Sequence, residues 1–270
     1  DPARARLLYA GTEFGVYVSF DDGGHWQSFQ QNLPATPVTD IKFARNDLVL
    51  STQGRAFWIM DNLTPLHQLS EKVASAPATL FQPREAVRGR GGRGGGGRGS
   101  GPQYPATGAM IDYHLAGASQ EDLTLQVLDA AGKVVRSFAS AAAAAGERPV
   151  TEAAPPDDEE GGGGGRGGRG GSPRIDKSAG MHRFTWDLRY PGPLTGAGAE
   201  GGNGPVAVPG SYAIRLRVGA FTQTQPLTVV EDPRILRDGI TLEDLRAQFA
   251  HNMRVRDLVS DANKTVARLR

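Results

Sequence analysis

Residues 19–26 read SFDDGGHW, from Ser19 to Trp26, with two acids, two glycines and a tryptophan between two β-like runs. Three readings compete for this stretch: a catalytic carboxylate pair, a metal loop, or a turn. A catalytic pair needs a cleft and a substrate pose, and neighbouring residues supply neither. A calcium loop needs staggered oxygen ligands, which the adjacent Asp21 and Asp22 do not provide. A turn accounts for each residue. Asp21 is placed to accept hydrogen bonds from turn N–H groups. Gly23 and Gly24 allow backbone angles that other residues resist. Trp26 brings an apolar face back onto the sheet. The stretch is read as structural.

Working outward, residues 1–62 are rich in short strands: Leu7–Gly11, Gly15–Phe20, Trp26–Phe29, Val38–Ala44, Leu48–Thr52 and Ala56–Met60. Turn residues separate them, a spacing that fits a sandwich, a barrel or propeller blades. Residues 63–108 read as a linker with an Arg/Gly tract. Period-2 segments follow at 109–115, 123–129, 133–138, 181–188, 211–218 and 222–230. In the fifth, Tyr212, Ile214, Leu216 and Val218 share one face, the mark of a half-buried strand. These segments predict an immunoglobulin- or fibronectin-III-like β-sandwich over 109–231, with 139–173 as a disordered insertion. Residues 232–270 predict a C-terminal helix. Thr241 and Asp244 form a capping-box pattern at its start, and an apolar stripe runs from Leu242 to Leu269.

Composition narrows the chemistry. The chain has 270 residues, a formal charge of +1 and no cysteine. Disulfides, thiolate metal sites and thiol catalysis are excluded. Near-neutral charge gives no global pull towards nucleic acid or anionic membrane. No apolar run approaches the ~18 residues of a membrane helix. The 37 glycines cluster at 89–101, 161–171 and 192–204, and the first two clusters read as disordered. His25, His67, His114, His182 and His251 show no metal-ligand spacing. No P-loop, dinucleotide fingerprint or G-x-S-x-G is visible. No cofactor and no metal is expected. Both chain ends read as cut, so a targeting segment is expected upstream if anywhere.

The opening stretch carries a resemblance. Ser19, Asp21, Gly23 and Trp26 match S-x-D-x-G-x-x-W, the Asp-box or BNR repeat, with His25 where Thr is usual. The segment "LLYAGTEFGVYVSFDDGGHWQSFQQNLPATPVTDIKFARNDLVLSTQGRAFWIMDN" resembles bacterial BNR/Asp-box β-propeller proteins of the sortilin-type or "glycosyl hydrolase" BNR-repeat group. The likeness extends into "AGMHRFTWDLRYPGP" and "VPGSYAIRLRV", similar to the small sandwich that follows the propeller in those proteins. It implies a mainly β chain: about one and a half final blades, then a sandwich and a helix, where a closed ring needs at least four blades. It also implies a non-catalytic binding or scaffold role. The partners would be the rest of a parent propeller and a protein, peptide or glycan, in the periplasm or outside the cell.

Two other functions stay open. The parent is a sialidase-like glycoside hydrolase if its catalytic blades lie upstream. No residue is assigned as catalytic; Glu13 and Arg55, on strand-to-strand loops that could point into a propeller channel, are the ligand-facing candidates. RNA binding is the other. Arg88, Arg90, Arg93, Arg98, Arg166 and Arg169 lie in RGG-like tracts and could meet phosphate, though no aromatic residue is interleaved to stack bases.

Overall fold

The computed structural model describes residues 1–89, 107–140, 175–195, 198, 200–201 and 203–269. The Arg/Gly tract from residue 90 and most of the expected 139–173 insertion lie outside the described residues.

The chain is mainly β. It opens with an antiparallel sheet of β1 (Leu8–Thr12), β2 (Gly15–Ser19) and β3 (Gln27–Ser28). A second follows from β4 (Val38–Ala44), β5 (Asp47–Thr52) and β6 (Phe57–Met60), with β5 in the middle. Alternation decides which faces meet. Val16, Leu48 and Leu50 are buried between the sheets with Leu33 and Leu63, and Tyr9, Ile41, Trp58 and Met60 pack on them. Gly11 is required there by close approach, because a Cβ on it would fall 2.8 Å from Val38 Cγ1.

Two short helices, α1 (Thr64–Gln68) and α2 (Glu71–Ser75), lead into β7 (Ala78–Leu80) and β8 (Ala86–Arg88). The expected linker at 63–108 is corrected here: its described part supplies strands to two sheets. These strands are three residues each, too short to show a period. After them come β9 (Ala109–Leu115), β10 (Leu123–Leu128), β11 (Val134–Ala139), β12 (Gly180–Trp186), β13 (Arg189–Pro191), β14 (Asn203–Val206), β15 (Gly210–Val218) and β16 (Phe221–Glu231).

A five-stranded sheet runs β11-β10-β15-β16-β8, and a three-stranded one runs β12-β9-β7. Among the described strands only β8 pairs in parallel, with β16. Both sheets feed one core. Leu123, Leu125 and Val127 of β10 and Ile214 and Leu216 of β15 meet Ile111, Tyr113, Phe184 and Trp186 of the smaller sheet. Tyr212, Ile214 and Leu216 are buried as their spacing predicts. Gln223 on β16 clips the sheets together: its Oε1 accepts from Leu80 N at 2.8 Å and its Nε2 donates to Leu80 O at 3.1 Å.

β9 is buried on both faces. Ala109, Ile111, Tyr113 and Leu115 enter the core, whereas Asp112 turns towards the N-terminal sheets. That explains the near-continuous apolar run AMIDYHL.

The chain closes with α3 (Pro233–Arg237), capped by Asp232, and the long α4 (Leu242–Leu269). The Thr241 capping box forms: Asp244 N donates to Thr241 Oγ1 at 3.2 Å, and Thr241 N donates back to Asp244 Oδ2 at 2.9 Å. The apolar stripe of α4 is covered only in part. Leu245 is buried and Phe249 meets the Tyr190 ring edge-on at 4.9 Å, while Leu258, Val266 and Leu269 stay exposed.

Candidate functional site

The stretch from Ser19 to Trp26 closes the β2–β3 turn by hydrogen bonding. Ser19, buried at the end of β2, donates Oγ–H to Asp21 Oδ1 at 2.8 Å, and its Oγ accepts from Gly23 N at 2.9 Å. Asp21 Oδ1 also accepts from His25 N at 2.8 Å, and Oδ2 meets His25 Nδ1 at 2.5 Å. These bonds, led by the His25 side chain, hold the Asp21 carboxyl well below the ordinary carboxylate range. Asp22 and Gly23 sit at φ of 66° and 90°. Gly24 serves differently: a Cβ there would fall 2.9 Å from Asp21 Oδ2. Thus His25 carries part of the turn's bonding through both its backbone and its ring. Trp26 departs from expectation, since 44% of it stays exposed instead of lying fully on the sheet.

Glu13 and Arg55 occupy exposed hairpin turns, β1–β2 and β5–β6. Gly11 lies against Val38, and Gln53 N bonds Pro37 O, so both turns sit at the same end of the paired sheets. Neither residue lines either of two clefts found among the described residues. Arg55 serves the structure through its backbone, where its carbonyl accepts from Trp58 Nε1 at 3.0 Å.

Arg88 does not lie on an open surface along which a nucleic-acid backbone could run. It is 8% exposed, with Nε donating to Ala207 O at 3.0 Å and Nη2 to Gln248 Oε1 at 3.1 Å. Strand β8 carries it inside, so its assignment as a nucleic-acid contact is corrected. Arg90, Arg93, Arg98, Arg166 and Arg169 lie outside the described residues.

The geometry that stands out is at β6. No described strand pairs with its outer edge. Phe57 and Ile59 project from one face, 75% and 57% exposed, where no core covers them. Trp58 and Met60 project from the other face onto the inter-sheet core. Beside them lies a cleft of about 270 Å3 between β6 and residues 29–33, floored by Val16, Leu48 and Leu50. Asp61 and Arg183 close one end. Burial, with Asp47 nearby, raises the Asp61 pKa above the ordinary value. The sequence AFWIM carries the signal: four large apolar residues in a row need both faces of a strand, yet this strand is at an edge.

The cleft end is held by a buried polar junction. Arg183 Nε donates to Asp112 Oδ1 at 2.7 Å, and its Nη1 donates to Asp61 O at 3.0 Å. Asn62 Nδ2 donates to Asp112 Oδ2 at 3.0 Å, and Asn62 N donates to Asp47 Oδ1 at 2.7 Å. Asn62 takes φ of 66°, which Asn tolerates better than most residues.

Among the described residues no group of three or more His, Asp or Glu could hold a metal ion, and no helix is long and apolar enough to cross a membrane. No family model matches the chain, and no curated protein or solved structure matches it either.

Proposed function

We propose that this chain is a non-catalytic binding module that receives an extended polypeptide segment along the open edge of β6. The reading rests on one observation. An unpaired strand edge combines with side chains exposed on one face and an apolar cleft under the other. An added strand gains main-chain hydrogen bonds from such an edge, and alternate side chains gain pockets. Left open, the same edge is a route to self-association.

The Asp-box resemblance adds a context to that reading. Residues 1–62 are then the last blades of a propeller and residues 109–231 an immunoglobulin-like sandwich, in a secreted or periplasmic protein. The segment on β6 comes from a separate protein or from more of a parent chain. The hydrolase reading gains no support from the two clefts, since neither is lined by a pair of carboxylates. The RNA reading loses Arg88 to the interior.

The test is selection of peptides from a random display library on the whole chain, repeated with Phe57→Lys/Ile59→Lys. Selected peptides should alternate apolar and polar residues and lose binding to the double variant. Selection of only peptides indifferent to the double variant, or binding of glycans in place of peptides on an array, overturns the reading.

A further inference from the structure

A second cleft, of about 440 Å3, lies between α4 and the β13–β14 hairpin. Its construction is unlike that of the β6 groove. Three arginines line it, Arg88, Arg189 and Arg256, and no acidic residue does. Arg256 is paired with Asp257 at 2.6 Å. The other two are not matched in this way. Arg189 Nη1 donates to the Gly204 carbonyl at 3.0 Å. Arg88 spends Nε and Nη2 on the neutral acceptors Ala207 O and Gln248 Oε1. Among the described residues its Nη1 meets no acceptor, and that nitrogen is not sealed off, because Arg88 lines the cleft.

A guanidinium stays charged at any ordinary pH. Burying such a charge without a counter-charge is unfavourable, and proteins ordinarily place a carboxylate beside it. Burial pulls the Arg88 pKa down, as expected for a cation short of compensation. Gln248 adds a donor: its amide oxygen is held by Arg88, so its NH2 end is the free one. Val206, Val255 and Val259 supply an apolar wall next to these donors. Such volumes suit small ligands, and a few convergent polar groups on an apolar lining fix their orientation.

We propose that this cleft binds a small organic anion, a carboxylate or phosphate group on a short apolar body. The anionic end meets Arg88 and Arg189, and the body lies along the α4 valines. The two guanidiniums offer paired N–H donors matched to the oxygens of either group. The proposal is independent of the β6 groove and of the peptide reading.

The experiment is calorimetric titration of the whole chain with benzoate, phenyl phosphate, benzamide and inorganic phosphate, alongside thermal unfolding. Benzoate or phenyl phosphate should bind and raise the unfolding midpoint, since a ligand for the native state stabilises it. Benzamide keeps the ring and lacks the charge, and it should bind about tenfold more weakly or worse. Inorganic phosphate should also be weaker than phenyl phosphate. Arg88→Met and Arg189→Met should each weaken the organic anions about tenfold or more. Arg217→Met, on the exposed side of β15, should change nothing. If Arg88→Met does not fold, Arg189→Met decides. Equal binding of benzamide, no binding of either organic anion, or unchanged affinity in the folded arginine variants overturns the proposal. Equal binding of inorganic and phenyl phosphate overturns the organic part.

Discussion

Asn62 and Asp112 meet side chain to side chain at 3.0 Å, although 50 residues separate them. Asn62 closes the N-terminal pair of sheets, and Asp112 stands on the outward face of β9. Arg183 of β12 grips the same carboxylate and two backbone carbonyls at 61 and 62. One carboxylate therefore ties the first 62 residues to the rest, alongside the Arg84–Asp47 ion pair. Asp112 is buried while Arg183 is partly exposed, so removing Arg183 leaves a buried carboxylate short of compensation, whereas removing both leaves little. Arg183→Ala should therefore destabilise the chain by about 3 kcal/mol in chemical denaturation, more than Asp112→Ala, which leaves only a solvent-reachable cation. The Asp112→Ala/Arg183→Ala double variant should lose much less than the sum of the single variants. Strict additivity would show that the junction is not a coupled unit.

The Gln223 clip makes its own prediction. Both ends of its amide are used on Leu80, at 2.8 and 3.1 Å. Gln223→Ala leaves a strand N–H and C=O of β7 short of partners, and Gln225 takes up only the carbonyl. A loss of about 1–2 kcal/mol is expected, with faster hydrogen exchange at Leu80 N. Unchanged exchange at that amide would count against the clip.

Alkaline pH should unfold the core. Burial raises the pKa of Tyr9, to about 12, and also those of Tyr113, Tyr190 and Tyr212 above the ordinary 10.0. A group whose folded pKa is raised contributes stability that is complete below its unfolded pKa and is lost as pH rises towards the folded one. Stability should therefore hold up to about pH 10 and fall beyond it. Ultraviolet titration should show these tyrosines ionising late, together with loss of the native signal. Normal early ionisation with the fold intact would contradict the burial.

The β2–β3 turn should respond at the opposite end of the scale. The Asp21 pKa is depressed, so its contribution is present above the usual carboxylate range and is lost as pH falls through its folded value. The Asp21 carboxyl carbon should therefore titrate below the other exposed carboxylates by NMR. Asp21→Asn and Ser19→Ala should speed amide exchange at Gly23 and His25 while leaving β10 and β15 protected. An ordinary Asp21 titration would show that the bonds to His25 do not form.

The open edge of β6 should govern self-association. Phe57→Lys/Ile59→Lys places charge on an exposed edge and should leave the core untouched, because both side chains face away from it. Sedimentation should show the parent chain associating with concentration and the variant remaining monomeric. Identical profiles would remove the edge as the cause.

How much of this is legible in the sequence depends on the range of the contact involved. The β2–β3 turn bonded through Ser19 and Asp21, the Thr241 capping box and the buried face of β15 each rest on residues a few positions apart, and their local pattern is plain in the sequence. Strands β7, β8, β13 and β14 are not visible there. They are three or four residues long, and most are flanked or filled by Pro and Gly. Their partners are remote, so nothing local announces them. Arg88 is the clearest case. The residues that follow it are Gly and Arg, which suggest a solvated tract, yet pairing of Ala86 with Val229 draws it inside. The junction at Asp112 is hidden likewise, since a buried Asp in a strand has no signature until its partners are in place. The edge position of β6 is equally beyond the local pattern, although its apolar run is plain.

The parallel ladder between β8 and β16 also constrains the birth of the protein. Leu80, just upstream, and Gln223 lie 143 residues apart in the chain. During synthesis β7 and β8 emerge well before β16, which pairs with β8 and reaches β7 through Gln223. Contacts of such range form slowly, because a large loop must close before they are rewarded. The small N-terminal sheets can settle against each other as they leave the ribosome. The larger core has to wait for its final hairpin, and for that interval β8 carries an arginine destined for the interior with nowhere yet to put it.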